Sequence, residues 1–396
     1  AARFLLRPAQ QKCRTVRWPP SATPRMSLGR LRIIAVAVIA TSIAAPQPVR
    51  AQVDTIARFG GLGDARGLVS FRPYTAAFRG DDVILSQGDG LYVLSLSQPA
   101  RRFSARGDGP GDVQSVRQMA VVGDSLLTFD LVQRRLTVFT DDMREASTIA
   151  FPDAAAWNEA SPLSDGSIVA FRAPDFEKLM RTPGYRGAGV QVRPDSIVVE
   201  RRTPGSDPVE LGVFAMSPRY RTSDGTYFAP GHERVLQWTA GGHVLMANSH
   251  SARFDVIRPL TGERWTSASS RLERPMDPRT HDLLVEQFLN EERAGLGFAP
   301  QQTTRDARRA VVEAAGPAAQ APLFDKAVLA ESGEVWLREG AGPQVETWVV
   351  VSSTETERTV LIPSDLTILA IRANQIIATS RDELDVATIL WLSVVE

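Results

Sequence analysis

Imidazole is the commonest metal ligand and the commonest general base among side chains, so the histidines are where chemistry is sought first. The chain has four: His232, His243, His250 and His281. His232 and His250 bracket the β-rich run that begins at His243, which could bring three imidazoles to one place. A metal site needs three or four converging ligands, and neither His-x-Glu nor His-Glu-x-x-His spacing occurs. The expectation is no metal and no cofactor. Asp108 and Asp112 offer carboxylates within Arg106-Gly-Asp-Gly-Pro-Gly-Asp112. A calcium loop places further oxygen ligands at alternate positions, and this segment does not. It reads as a solvated turn, with the Arg106-Gly107-Asp108 tripeptide as part of the same glycine- and proline-rich link.

Signatures for nucleophilic and phosphate chemistry are missing too. No Gly-x-Ser-x-Gly elbow or phosphate-binding loop occurs, and Gly184-Tyr-Arg-Gly-Ala-Gly189 lacks the strand before and the helix after that a dinucleotide site requires. The one cysteine, Cys13, lies upstream of Met26, the plausible start. Residues 1–25 are rich in Arg and Pro and read as an untranslated or disordered leader. Residues 26–51 read as a signal peptide: Arg30 and Arg32, then the uncharged run Ile33 to Ala45, then Val49-Arg50-Ala51 as a cleavage site. That run of 13 residues is shorter than the roughly 20 needed to span a bilayer. The expectation is a periplasmic or extracellular protein with no membrane span, no disulfide and no cysteine chemistry after cleavage. The remainder would carry 36 basic against 45 acidic residues, a net charge of −9, which argues against nucleic acid as a partner.

The elements that would position any site are announced by turns. Gly80-Asp81, Gly123-Asp124, Asp165-Gly166, Gly241-Gly242, Ser332-Gly333 and Ala373-Asn374 each precede a β-rich run, and such pairs close tight hairpins because they tolerate positive φ. Their spacings of about 43, 42, 76, 92 and 40 residues include the roughly 40 to 50 of a four-stranded propeller blade. The reading is an all-β, six-bladed β-propeller over residues 52–396. An outer strand is lacking after residues 388–393, and the orphan run Asp54 to Phe59 would fill that place and close the ring. A small helical insertion, about 271–320, falls between blades 4 and 5. One helix starts at Asp277-Pro278 and ends by Gly295, and a weaker one runs from about Thr304 to Ala315. Trp238, Trp336, Trp348 and Trp391 lie in strands and are expected to fill the blade interfaces.

Arg106 to Asp112, followed by Gly123-Asp-Ser-Leu-Leu-Thr-Phe-Asp130 and Arg134-Arg-Leu-Thr-Val-Phe139, resembles the bacterial six-bladed propellers of the NHL-like and TolB-like group. The closing segment Asn374 to Val386 is similar to their last blade. The resemblance implies fold and export and carries over no catalytic residue. Sugar-acid lactonases on a related scaffold hold a cation with Glu, Asn and Asp; here Asn158 and Asn248 are present without a matching Glu and Asp. The expectation is a monomeric, non-catalytic exported scaffold that recognises a protein, peptide or glycan through loops at one mouth. Asp130, Arg135, Arg172, His250 and Arg381, after the second strand of their blades, are the expected binding residues. A channel hydrolase or lyase of lactonase type and a TolB-like envelope assembly protein are the alternatives.

Overall fold

The computed structural model describes residues 50–60, 73–172, 191–193, 196–215, 218–222, 226–271, 273–290, 302–341, 344–354, 357–382 and 386–395. The expected leader, nearly all of the expected signal peptide and the Gly184 to Gly189 loop lie outside these residues.

Strand β1 is Arg50–Gly60. The first four-stranded sheet is β2 (Pro73–Arg79), β3 (Asp82–Gln87), β4 (Gly90–Ser95) and β5 (Arg101–Ala105). The second is β6 (Val116–Val122), β7 (Ser125–Asp130), β8 (Arg135–Phe139) and β9 (Glu145–Ala150). In the third, β10 (Trp157–Pro162), β11 (Ile168–Arg172), β13 (Ser196–Arg202) and β14 (Val209–Ala215) pair in that order. Between them the chain contributes β12 (Gln191–Arg193), which joins β15 (Arg219–Arg221) and β16 (Thr226–Phe228) in a separate three-stranded sheet. The fourth is β17 (Val235–Ala240), β18 (His243–Asn248), β19 (Arg253–Arg258) and β20 (Glu263–Ala268).

The remaining strands form one eight-stranded sheet. One half is β21 (Lys326–Leu329), β22 (Val335–Ala341), β23 (Val345–Val351) and β24 (Glu357–Pro363). The other is β25 (Thr367–Arg372), β26 (Gln375–Arg381) and β27 (Ala387–Val395). Strand β1 joins them: Arg50 and Ala51 pair in parallel with Thr359 and Val360 of β24, and Gln52 to Gly60 run antiparallel to β27. The expected pairing of residues 54–59 with residues 388–393 is therefore present, with Asp54 opposite Ser393 and Phe59 opposite Ile389. The expected fifth and sixth blades do not stand as separate sheets, because this one strand bonds to both halves.

Burial explains why the sheets associate. Second strands such as β3, β7, β11 and β18 are buried along nearly their whole length, whereas β14 and β20 are largely exposed and β5 is partly so. A sheet gains that gradient when both of its faces pack on neighbouring sheets and only its outer edge meets solvent. Apolar clusters sit between consecutive sheets, joining Leu126 and Phe139 to Ile84 and Leu91, and Val169 and Phe171 to Val244 and Ile257. Another lies between the halves of the eight-stranded sheet, where Trp336, Trp348, Ile376 and Leu392 meet. The arrangement is propeller-like.

Helices α1 (Pro278–Asn290) and α2 (Gln302–Ala315) stand where the insertion was expected. Asp277 caps α1, its Oδ1 accepting the Thr280 amide at 3.0 Å. The apolar stripe of the pair packs on the three-stranded sheet: Val311, Phe288 and Ala315 meet Tyr220, Tyr227 and Ala229. That small sheet was not anticipated, since strands of three residues carry no readable alternation.

Candidate functional site

The five expected binding residues all lie at one end of the sheets, where second strands hand over to third strands, and they are spread over four sheets. Asp130, 2% exposed, accepts backbone N–H groups from Gln114 (2.5 Å), Ser115 (2.9 Å), Val132 (2.9 Å) and Gln133 (3.0 Å). Arg135, opposite it in register, donates to the carbonyls of Gly109 (3.0 Å) and Asp112 (2.8 Å). Arg172 reaches the buried carboxylate of Glu200 at 3.5 Å, which Arg202 also holds at 2.7 Å. Arg381 ends β26, exposed and opposite Ala387. His250 Nε2 faces two carbonyls, Gly231 and Gln320, each at 3.1 Å, so this nitrogen carries the proton. Nδ1 then accepts from Ser249 Oγ at 3.1 Å, and Ser249 Oγ accepts the Arg234 amide at 2.8 Å. His250 thus pins the segment after α2 to the fourth sheet.

The structure does not gather the three neighbouring imidazoles. His232 contacts the Gly316 carbonyl at 3.0 Å, while His243 accepts a hydrogen bond from Arg258 Nε at 2.9 Å. The glycine-proline link is internally tied as well. Asp112 Oδ2 accepts the Gly109 amide at 3.2 Å, and a Cβ on Gly107 would lie 2.3 Å from that same oxygen, so a larger residue there would have to displace the Asp112 carboxylate. Asn248 donates to Glu233, and the side chain of Asn158 lies outside the described residues.

A cavity of about 730 Å³ opens at the same end of the sheets as the five residues, beneath the helical insertion. Tyr227, Phe228 and Phe288 supply aromatic wall, with Tyr227 edge-on to Phe288 at 5.8 Å between centroids. Arg234 lies over Phe228 at 4.9 Å. Asp325 and Arg338 supply charge: Arg338 Nε and Nη2 meet the two Asp325 oxygens at 2.6 and 2.5 Å. Arg338 also pairs with the buried Glu346, whose second oxygen accepts from Trp348 Nε1 at 3.2 Å. This charged wall is rigid, because every group in it is bonded to another. The pair was missed from sequence, although the β21–β22 register, which puts Lys326 opposite Arg338, places Asp325 beside that arginine.

No protein-family model and no curated protein matches the chain. Solved structures are similar to it at low identity. A Bacteroides fragilis protein assigned as exported is 11% identical, with 87% of this chain and 96% of that one covered and a TM-score of 0.46. Virginiamycin B lyase from Staphylococcus aureus is 10% identical over 87% of this chain and 100% of that one, TM-score 0.41. The Pan2 WD40 domain of Neurospora crassa is 10% identical over 86% and 95%, TM-score 0.39. These likenesses carry no weight on function, and the propeller-like arrangement rests on the strand pairings and sheet packing.

A second cavity, of about 350 Å³, is lined by residues of β2, β6, β10, β17, β21 and β25 or of the turns that follow them. These are the first strands of their sheets or half-sheets, and they form a chain of neighbours. Strand β2 packs on β6 and on β25, β6 on β10, and β17 on β21. Glu159 of β10 bridges two more, accepting from Gln118 Nε2 of β6 at 2.8 Å and from Gln237 Nε2 of β17 at 2.9 Å. Between the last two, the Glu331 amide after β21 donates to the Ile371 carbonyl of β25 at 2.9 Å.

Proposed function

We propose that this protein is an exported six-bladed propeller that binds a peptide or glycan segment of another molecule in the aromatic cavity beneath its helical insertion. The observation that carries the reading is the cavity itself. Its roughly 730 Å³ falls in the range of about 300 to 1,000 Å³ typical of ligand sites. It sets aromatic faces against a fixed carboxylate–guanidinium pair, suited to stacking on one side and hydrogen bonding on the other. The six-blade count is supported by counting each half of the eight-stranded sheet with the four separate sheets, and by the closed circuit of first strands about the smaller cavity. Export rests on the signal-like run of residues 26–49, with cleavage before Arg50 rather than after Ala51, because Arg50 and Ala51 belong to β1 and Ala51 is buried in its pairing with β24; among the described residues no helix is long and apolar enough to cross a membrane. Kinship with the NHL-like and TolB-like group rests on the motif from Arg106 to Phe139. In this reading His250 acts by holding one wall, while Asp130, Arg135, Arg172 and Arg381 shape or border the loops of the same mouth.

Purified protein without its first 49 residues should be screened on a glycan array and against a displayed peptide library. The expected outcome is a hit from which Tyr227→Ala and Phe288→Ala each remove about tenfold or more in affinity, as loss of an aromatic anchor does. Hits that both variants bind as well as the parent protein does, or silence from both panels, would sink the proposal.

A further inference from the structure

The smaller cavity has chemistry of its own at the end away from the helical insertion. Each first strand around it is hydrogen-bonded along one edge only, so the other edge presents backbone N–H and C=O groups to the space. Two ionisable side chains line it at the hairpin turns, Glu331 after β21 and Arg372 at the end of β25. The turns are pressed together there. A Cβ on Gly241, whose φ is +54°, would come 2.2 Å from the Glu331 carbonyl oxygen. Arg372 sits over the Phe78 ring with Cζ 4.4 Å from its centroid, and Nη2 donates to the Gly80 carbonyl at 2.8 Å and to Gln375 Oε1 at 3.3 Å. Among the described residues neither Glu331 nor Arg372 is in an ion pair, with each other or with a third group. Burial pushes the Glu331 carboxyl above the usual glutamate range, and the Phe78 amide and the Arg372 charge oppose that only in part. Arg372 is the one charged group acting on it; β17 contributes the hydroxyl of Thr239, which is buried, lines the same cavity and has no hydrogen-bond partner.

Glu331 and Arg372 are both half-buried, and an acid and a base that share a partly enclosed space without pairing leave two charges for a ligand to answer. We propose that this cavity binds a small zwitterion of the free amino acid or dipeptide class, its ammonium held by Glu331, its carboxylate by Arg372 and a further hydrogen bond by Thr239. A neutral polyol would leave both charges uncompensated, a simple anion would face Glu331, and a simple cation would face Arg372. Only a ligand with both charges answers both groups. Occupancy holds Glu331 ionised, so affinity falls as acid protonates it. This site is independent of the cavity beneath the insertion.

Titration calorimetry with the standard free amino acids and with L-alanyl-L-alanine tests it, alongside the N-acetyl and C-terminal amide forms of whichever probe binds. The expected result is saturable binding of a free zwitterion, lost on capping either end, and about tenfold or more weaker in Glu331→Gln and in Arg372→Gln, the scale of a charge-assisted hydrogen bond. Circular dichroism checks that the variants are folded; if they are not, the capped probes on the parent protein decide alone. No binding from any free amino acid or the dipeptide, or equal binding of capped and free forms, overturns the assignment.

Discussion

Asp130 ends β7 with both carboxylate oxygens occupied, Oδ2 by the two amides of the link before β6 and Oδ1 by two amides of its own turn. A buried carboxylate so saturated holds loops and has little left for a ligand. Asp130→Ala strips four N–H groups of their acceptor and should cost about 3 kcal/mol, read as a shift in the urea midpoint at constant slope. His243 makes a different use of burial. Enclosure lowers its pKa below the usual histidine range, and the neighbouring Arg258 charge lowers it further. The folded protein holds this imidazole neutral as the acceptor of the Arg258 N–H, beside Trp265 at 5.5 Å. A depressed histidine pKa stabilises the fold above the unfolded value and loses that contribution as pH falls. Between about pH 7 and pH 5 the parent protein should therefore lose stability relative to His243→Gln in parallel denaturation curves. The identities of such residues were plain in the sequence, but their duties were not, since those depend on partners from other strands.

Strand β1 is the element on which closure depends. It was legible beforehand because a β-rich run with no local partner must find a distant one, and its register is set by Phe59, 1% exposed against Trp391 and Ile377 in one cluster. Phe59→Ala should cost about 3 to 5 kcal/mol in chemical denaturation, the range for emptying a buried aromatic site. Removal of residues 50–60 leaves β24 and β27 as open edges, and the shortened protein should aggregate on heating in light-scattering measurements where the parent stays clear. Helix α1 was legible for a local reason, the Asp277 cap and the proline after it. The small β12–β15–β16 sheet was hidden, and with it two walls of the larger cavity, Tyr227 and Phe228.

For the molecule as a whole, Trp336, Trp348 and Trp391 are each 2% exposed or less and lie in the clusters on either side of β27. Three of the chain's seven tryptophans sit there, so the fluorescence is weighted toward the seam, whereas far-ultraviolet circular dichroism reports all sheets. The two signals should coincide during urea unfolding of the parent protein. In Arg58→Pro, which removes an amide from the ladder opposite Leu390, the tryptophan transition should come at lower denaturant than the dichroism transition.

From sequence alone came what is set within a few residues of chain: the hairpin turns, the strands they join, the helix cap and the unpaired first strand. Short-range sterics and hydrogen bonding decide these, so the local residues carry the signal. Convergence of side chains was left to the tertiary structure. Glu159 meets Gln118 and Gln237 across 41 and 78 residues of chain, and Glu331 meets the Arg372 turn only because two half-sheets pack side by side. Contacts between sheets depend on how whole faces stack, and no spacing along the chain records that.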